Sequence, residues 1–249
     1  MGQLSHLFIT HAHADHYGGA AFVREKYSLE TWAPSLEAAV MENPVLEPLY
    51  LHGGNDPLPE MRNKFLEGQP VQIDRIAEET TEYIGDIPVK IHIFPGHSYR
   101  QAAIEVNGIL FAADSYFGSE YLYKHKIPYI TDVSYQLETL NRLLEIEVSG
   151  AVPGHGKFEH TYVSTVKENI DYHKDIMDWI EAFIRTNKEV SHETLVSAMC
   201  NAYGVTVTHL SAWMLYRTAV TAYVNGLIRE GRICHYLKDF RWTFCICHY

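Results

Sequence analysis

The sequence predicts a mixed α/β protein with a helical C-terminal region, and three observations support this fold class. Short apolar β-type runs recur through the first part of the chain, including "LSHLFI" at 4–9 and "ILFAA" at 109–113. Several of these runs end directly in a histidine or an aspartate within a glycine-containing turn. Beyond residue 160 the apolar residues recur at helical spacing, which favours a boundary between domains at 1–159 and 160–249.

The first seventy residues alternate between strand and helix signals. "LSHLFI" predicts a buried strand, "GGAAFVREKY" predicts a helix and "LETWA" predicts a second strand. Ser35 then stands where it can cap the helix "LEAAVME". Prolines and glycines interrupt the pattern between residues 43 and 70, which indicates loops with short helical turns.

Strand signals return in the next part of the chain, in "VQIDRIA", "VKIHIF", "AAIEV" and "ILFAA". Between the last two runs, "VNG" at 106–108 is typical of a hairpin turn. The segment "SYQLETLNRLLEIE" is amphipathic and predicts a helix. "GAVPGHG" predicts a short strand that ends in a glycine-flanked loop.

The C-terminal region has the order helix, helix and small hairpin, which predicts a winged-helix-like unit. A long amphipathic helix covers residues 162–184, and it is followed by "SHETLVSAMCNAYG" and the helical "HLSAWMLYRTAVTAYVNGLIREG". Two β segments, "RICHYL" and "RWTFCI", complete the unit. The apolar face of its last long helix favours packing, homodimerisation through this region or partial roofing of a cleft over nucleic-acid binding.

The composition narrows the classes of partner. The chain has 249 residues and a formal net charge of −11, which argues against binding to nucleic acid or to an anionic membrane. No basic leader or membrane-length apolar run is evident, and the four cysteines form no C-x-x-C pair. These features predict a reduced, cytoplasmic protein. Cys245, Cys247 and His248 could bind a metal, although alternation in a terminal strand explains their spacing equally well.

The stretch "THAHADHYGG" at 10–19 is the strongest functional signal. His11 and His13 follow a strand and can converge on one ion, because imidazole and carboxylate groups are common ligands of transition metals. Asp15 and His16 lie beyond the turn and can reach a second ion, while Gly18 and Gly19 allow a close backbone approach. Two sites need more ligands, and three candidates follow later strands: His97 in "FPGHS", Asp114 in "LFAADSYF" and His155 in "VPGHG".

This ordered set, H-x-H-x-D-H followed by a strand-terminal histidine, aspartate and histidine, resembles the metallo-β-lactamase superfamily and its glyoxalase-II-like hydrolase branch. The resemblance covers residues 4 to about 158 and implies an αββα sandwich. Relatives have several strands before the motif, whereas nine residues precede Thr10 here, so either the sequence starts late relative to its relatives or the first strand lies at an unprotected sheet edge. The resemblance also implies two metal sites: His11, His13 and His97 at the first, Asp15, His16 and His155 at the second, and Asp114 as a bridge between them.

Two divalent ions about 3.5–4 Å apart, zinc first with iron or manganese as alternatives, would hold a bridging hydroxide as nucleophile. The expected activity is hydrolysis of an ester-like bond in a small-molecule substrate: thioester, lactone or other carboxylic ester first, and phosphodiester second. Two alternatives remain open. A sulfur dioxygenase of the same superfamily would use a single iron, and a DNA-binding regulator would carry a vestigial metal site.

The candidate catalytic residues beside the metals are Asp15 and Tyr116, of which Tyr116 could donate to an oxyanion or form an aromatic wall. Arg100 follows the ligand His97 closely and could contact an anionic substrate. Lys124, in "YKHKIPY", could attract the same charge together with its neighbours His125 and Lys126. For Arg100 an exposed loop role is equally compatible with the sequence. His173 lies on an apolar helix face and is predicted to be a core histidine.

Overall fold

The structure is a computed structural model that describes residues 4–247. Its first part contains strands β1 (His6–Phe8), β2 (Glu30–Pro34) and β3 (Arg75–Ala77), helices α1 (Ala14–Tyr17), α2 (Ala20–Lys26), α3 (Ser35–Glu42) and α4 (Leu46–Leu51), and a 3-10 turn at Pro59–Met61. The three strands form a parallel sheet in the order β1-β2-β3. β1 therefore lies at an edge of this sheet, as the sequence predicts.

A second sheet contains β4 (Thr81–Ile84), β5 (Ile87–Ile93), β6 (Ala102–Val106), β7 (Ile109–Ala113) and β8 (Gly150–Pro153), in this order. The predicted hairpin joins β6 to β7, and its turn residues Asn107 and Gly108 adopt φ values of 51° and 73°. β7 and β8 pair in parallel, which requires a crossover, and the crossover contains α5 (Ser119–His125) and α6 (Val133–Leu144). Parallel pairing brings the residues that follow β7 and β8 to the same edge of the sheet.

The two sheets pack face to face between two layers of helices. Trp32 and Ala77 of the first sheet pack against Ile91 and Ala102 of the second. The other face of the first sheet is covered by α1 to α3, around a cluster that includes Tyr17 and Met41. The other face of the second sheet is covered by α6 and by the first half of α7 (Tyr162–Asn187). This order of layers is the predicted αββα sandwich.

The C-terminal region contains β9 (Val190–Ser191), α8 (His192–Ala202), α9 (Leu210–Arg229), β10 (Ile233–Lys238) and β11 (Arg241–Ile246). The three strands form an antiparallel sheet in the order β10-β11-β9. Val166 and Ile170 in the first half of α7 pack on the second sheet of the sandwich. Ile176 and Ile180 in its second half belong to the core of the C-terminal region. One continuous helix thus belongs to both cores.

Two local expectations are corrected by the structure. Ser35 is the first residue of α3, and Pro34 takes the N-cap position without a side-chain capping bond, so the predicted serine cap is wrong. Cys234 and Cys247 form a disulfide, whereas the sequence predicts reduced cysteines. The reason is the hairpin register, which places Cys234 opposite Cys245 and so brings Cys247, just beyond the end of β11, within reach. His248 lies outside the described residues.

Sequence reasoning missed β4, α5 and the short elements α1 and β9, and it anticipated the other long elements. In the part of the chain from residue 4 to residue 247, none of the helices combines the length and the apolar character that a bilayer-spanning segment needs. The predicted domain boundary at residue 160 stays a prediction.

Candidate metal centre

Seven side chains from four separate segments of the chain meet in one cluster. Their ligand atoms form three sets, each with all members within 4.8 Å of one another: His11, His13 and His97; Asp15, His16 and His155; and His11, His16 and Asp114. The third set joins the first two. The structure therefore brings together all seven side chains that the sequence singles out as metal ligands.

Asp114 lies between the two outer sets. Its Oδ2 is 3.3 Å from Nε2 of His97 and 3.3 Å from Nε2 of His155, which belong to different sets. Its Oδ1 is 3.4 Å from Nε2 of His16. Within the first set, Nε2 of His97 is 2.9 Å from Nδ1 of His13. A carboxylate in this position would be a ligand common to both sites if two cations were bound.

The chemistry of the cluster fits divalent metal ions. Nε2 of His11, Nε2 of His16 and Oδ1 of Asp114 are buried and have no hydrogen-bond partner among the described residues. Buried polar atoms without partners are costly, so their convergence on one point needs a compensating interaction. Imidazole nitrogens and carboxylate oxygens together are the donor set that zinc, iron and manganese accept.

Hydrogen bonds from outside the cluster orient two of the histidines. Nδ1 of His97 donates to the backbone carbonyl of Tyr129 at 3.0 Å, which leaves Nε2 as the nitrogen that faces the cluster. Nδ1 of His11 lies 3.1 Å from the hydroxyl of Thr10, again leaving Nε2 for a ligand role. Such bonds fix the ring orientation before a cation binds.

Glu37 on α3 connects two ligand-bearing loops. Its buried carboxylate accepts a bond from the backbone N–H of Ala12 at 2.9 Å, between His11 and His13. It also accepts bonds from the hydroxyl of Ser98 at 2.7 Å and the backbone N–H of Arg100 at 2.8 Å, just after His97. Sequence reasoning missed Glu37. An acidic residue among the apolar residues of "LEAAVM" is the signal that could have identified it.

Asp114 is held by a strained turn at the end of β7. Ala113 adopts a φ of 50°, a left-handed conformation that costs energy for a residue with a Cβ atom. The backbone N–H of Asp114 donates to Oε1 of the buried Gln101 at 3.1 Å. The N–H of Gly154, after β8, donates to the carbonyl of Ala113 at 2.6 Å. The last of these bonds connects the ends of β7 and β8 beside the carboxylate of Asp114.

The close backbone approach occurs at Gly154, which corrects the expectation for Gly18 and Gly19. A Cβ atom on Gly154 would lie 2.2 Å from Oδ1 of Asp114 and 2.7 Å from Cε1 of His16. A Cβ atom on Gly19 would meet nothing within 4 Å. On Gly18 it would meet the carbonyl of Ala14 in the preceding helical turn, at 2.4 Å, rather than a ligand.

The electrostatics of the cluster favour the metal-binding protonation state at His97 and Asp15 and the protonated ring at His155. Burial lowers the pKa of His97 to about 3, although the charge of Asp114 opposes this shift. Burial raises the pKa of Asp15, but the hydrogen bond from His155 and the charge of His16 outweigh it and give a value of about 2. Hydrogen bonds to Asp114 and Asp15 raise the pKa of His155 to about 10. The proton that His155 holds between two carboxylates is the positive charge that a cation would replace.

Five of the clustered side chains line a cavity of about 260 Å³, called the metal-binding cavity below: His13, Asp15, His97, Asp114 and His155. Besides ligands, its lining includes Phe117, His125 and Tyr129. Leu66 and Leu215 also line it, and Leu215 lies on α9 of the C-terminal region. The last long helix therefore supplies part of one wall of this cavity, as the expected roofing role requires.

The structure places the candidate catalytic and substrate-binding residues outside the metal-binding cavity, with one exception. Tyr116 is fully buried and its hydroxyl donates to Glu159 at 3.1 Å, so its predicted oxyanion contact is corrected. The guanidinium of Arg100 binds Glu78 at 2.7 Å, and Arg100 lines a neighbouring cavity of about 540 Å³ instead of the metal-binding cavity. The exception is Asp15, which lines the metal-binding cavity.

Lys124 lies outside the lining of the metal-binding cavity. Its ammonium group is 5.5 Å from the centre of the Tyr121 ring, and that ring is 5.8 Å from the ring of His155. Its neighbour His125 does line the cavity, 5.8 Å from His155 between ring centres. The predicted cationic residue Lys124 is therefore separated from the cluster by the ring of Tyr121.

The fold is shared with known structures at low sequence identity. A β-lactamase domain protein from Burkholderia ambifaria has a TM-score of 0.76 at 17% identity, with 98% of this chain and 76% of that chain covered. A metallo-β-lactamase family protein from Thermus thermophilus has a TM-score of 0.70 at 15% identity, with coverages of 96% and 79%. An archaeal superfamily protein from Sulfolobus tokodaii has a TM-score of 0.54 at 17% identity, with coverages of 92% and 82%. At these identities the likeness shows the fold.

Comparison of the sequence with curated proteins finds no match. The family model of the metallo-β-lactamase superfamily matches residues 2–155, which is more than half of the chain and includes all seven clustered side chains. With the αββα layers and the clustered histidines and aspartates in place, this match leads to one conclusion: the chain belongs to the metallo-β-lactamase superfamily.

Proposed function

We propose that the protein is a dinuclear metal-dependent hydrolase of ester-like bonds. Thioesters, lactones and other carboxylic esters are the first candidates, and phosphodiesters are the second. The observation that carries the proposal is the pair of ligand sets joined by Asp114. When bound, two divalent cations would polarise the oxygen of the scissile bond and lower the pKa of the attacking water. Zinc is the first choice of metal, and the donor set also accepts iron or manganese.

The charges of the ligands support this reaction class. Asp15 and Asp114 bring two negative charges to a site for two divalent cations, and the histidines bind as neutral rings. The loaded centre is therefore positive before substrate binds, which stabilises negative charge that develops on an oxygen in the transition state. Phe117, Leu66 and Leu215 give the cavity apolar walls, and charges beside apolar walls are screened less than charges in bulk water.

Asp15 is the ligand proposed to accept a proton during the reaction. Its side chain is 58% exposed, whereas that of Asp114 is 3% exposed. A carboxylate that both faces the cluster and reaches solvent can receive a proton from the attacking water and pass it on. Its hydrogen bond with His155, at 3.2 Å, holds it beside the second set of ligands.

We assign packing and a cleft-wall role to the C-terminal region, which we interpret as winged-helix-like from its order of helices and hairpin. Four of its basic residues are engaged in ion pairs: Arg217 with Glu193, Arg229 with Asp132, Arg232 with Asp178 and Glu181, and Lys238 with Glu189. Cations neutralised within the chain contribute less to phosphate binding. Homodimerisation through this region stays a prediction.

Metal counting combined with a substrate screen tests the proposal. The protein is stripped with a chelator, reloaded with Zn²⁺, Fe²⁺ or Mn²⁺, and assayed on a thioester, a lactone, a carboxylic ester and a phosphodiester. We expect two ions per chain and hydrolysis that Asp114→Asn abolishes, with the exposed Asp171→Asn as matched control. One iron per chain with oxygen uptake would favour a sulfur dioxygenase instead. Salt-sensitive DNA binding without turnover would favour a regulator.

A further inference from the structure

A second, larger cavity of about 660 Å³ adjoins the metal centre. His13 lines both cavities. Helix α4 contributes Glu47 to the metal-binding cavity and Leu49 to the larger one. The segment that precedes α6 likewise contributes Tyr129 to the first and Thr131 to the second. Three structural elements are thus shared, so a molecule that reacts beside His13 can extend from one cavity into the other.

The walls of the larger cavity are mainly apolar. Helices α3 and α4 supply them with aliphatic side chains: Leu36, Ala39, Val40, Leu46 and Leu49. Three polar side chains of the lining, Ser98, Thr131 and Glu37, are already engaged within the protein. The hydroxyl of Ser98 donates to Glu37 at 2.7 Å, and that of Thr131 donates to the carbonyl of Gly96 at 3.1 Å. The carboxylate of Glu37 itself accepts three hydrogen bonds.

Large apolar and aromatic side chains are exposed around the same cavity. Leu36 is 46% exposed, Tyr50 is 47% exposed and Tyr99 is 72% exposed, and all three line it. Single exposed apolar residues are normal, but several around one concave opening mark a binding surface. Because a polar or charged group would find few free partners there, the surface favours an apolar ligand.

We propose that this cavity binds the apolar acyl chain of the substrate whose ester-like bond reacts at the metal centre. This inference rests on the proposed hydrolase function and narrows its substrate class to acyl esters, thioesters or lactones with a chain of several methylenes. The volume of about 660 Å³ is ordinary for a ligand site. It is also several times the roughly 150 Å³ that accommodates benzene in an engineered cavity.

A series of p-nitrophenyl esters from acetate to decanoate, each below its aggregation concentration, tests the inference on the metal-loaded protein. We expect kcat/KM to rise by up to about fourfold per added methylene until the cavity is filled. Ala39→Trp places a large ring in the cavity from an exposed position on α3. It should lower the ratio of kcat/KM for decanoate to kcat/KM for acetate by about tenfold or more. Ala182→Trp, at an exposed position on α7, is the matched control.

Binding of 1-decanol to the metal-free protein, followed by calorimetry, gives a readout that is independent of turnover. Wild type and Ala182→Trp should bind the alcohol, and Ala39→Trp should not. If neither these esters nor the thioester, lactone and phosphodiester of the substrate screen are hydrolysed, the proposed function fails, while the decanol result still decides what the cavity binds. Equal kcat/KM values for acetate and decanoate would overturn the inference. So would a chain-length dependence or decanol affinity that Ala39→Trp leaves unchanged.

Discussion

A Cβ atom on Gly154 would lie 2.2 Å from Oδ1 of Asp114, the carboxylate that lies between the two outer ligand sets. Gly154→Ala should therefore displace Asp114 or the loop after β8, since neither can yield without moving a ligand. We expect metal affinity to fall by about tenfold or more, as measured by competition with a chromogenic chelator. Hydrolytic activity at limiting metal should fall in parallel.

Gly19→Ala is the control for this substitution, because it adds the same methyl group near the same cluster and its Cβ would meet nothing within 4 Å. It should retain wild-type affinity. Equal metal affinity in Gly154→Ala and wild type would show that the loop relaxes freely.

Glu37 is expected to set metal affinity through the two loops that it connects. Glu37→Gln keeps the shape of the side chain but replaces one accepting oxygen with an NH2 group. That NH2 group would point either at the N–H of Ala12 or at the donors of Ser98 and Arg100, so at least one hydrogen bond is lost. Loss of such supporting bonds lowers metal affinity by about 10- to 100-fold. Isothermal titration of the metal-free protein measures this change.

Glu42→Gln is the matched control on the same helix, where the carboxylate is exposed and accepts a bond from the N–H of Ile73 at 3.2 Å. A similar loss of affinity in both variants would indicate a general effect of charge, and would contradict the proposed positioning role of Glu37.

His173 should make the protein less stable in acid. It is fully buried beside the hydroxyl of Tyr223, at 2.7 Å, as a core histidine should be, and burial lowers its pKa to about 4. The unfolded chain takes up this proton near pH 6.5, so stability is complete above that pH and is lost as the pH falls towards 4. The loss between pH 7 and pH 4 amounts to about 3 kcal/mol.

Urea unfolding of wild type and His173→Gln across this range isolates the contribution of the one ring. The difference in unfolding free energy between them should shift by about 3 kcal/mol in favour of the variant as the pH falls. His209→Gln, at an exposed position, should show no such shift. A difference that is independent of pH would mean that His173 has the same pKa in the folded and in the unfolded protein.

The contact between α6 and α9 should couple the C-terminal region to the sandwich. A Cβ atom on Gly226 would lie 2.2 Å from Cγ1 of Val133. Gly226→Ala should therefore destabilise the protein by about 1–3 kcal/mol, measured by thermal or urea unfolding. Val133→Ala removes the methyl group that clashes, so the double variant should be less destabilised than the sum of the single changes. If the two losses of unfolding free energy were strictly additive, the strain in Gly226→Ala would not come from the contact with Val133.

Much of the candidate site could be anticipated from short stretches of sequence. Each proposed ligand either belongs to the H-x-H-x-D-H stretch or directly follows an apolar strand, as His97 and Asp114 do. Strand ends are fixed by local hydrophobic pattern and turn residues, so their location along the chain is a local property. The same reasoning correctly placed His173 in a core and anticipated the hairpin at Asn107 and Gly108.

Side-chain direction could not be predicted in this way. Tyr116 is close in sequence to Asp114, yet its hydroxyl binds Glu159. Arg100 is close in sequence to His97, yet its guanidinium binds Glu78. Nearness along the chain constrains where the backbone runs, and packing against distant segments decides where a side chain points. The disulfide between Cys234 and Cys247 escaped prediction for a related reason, because it depends on the register of a hairpin.

The sequence by itself determined the mixed α/β class and the residues proposed as ligands, because hydrophobic periodicity and short ligand motifs are local properties of the chain. The resemblance of the ligand pattern to the metallo-β-lactamase superfamily implied the αββα sandwich. Only the tertiary structure decided which groups surround those ligands. Glu37 acts across 25 residues on Ala12, and Gly154 matters because of atoms on Asp114 and His16. The apolar cavity beside His13 likewise exists only where α3, α4 and two loops converge. Contacts between distant segments arise from the packing of the whole chain, which no local pattern specifies.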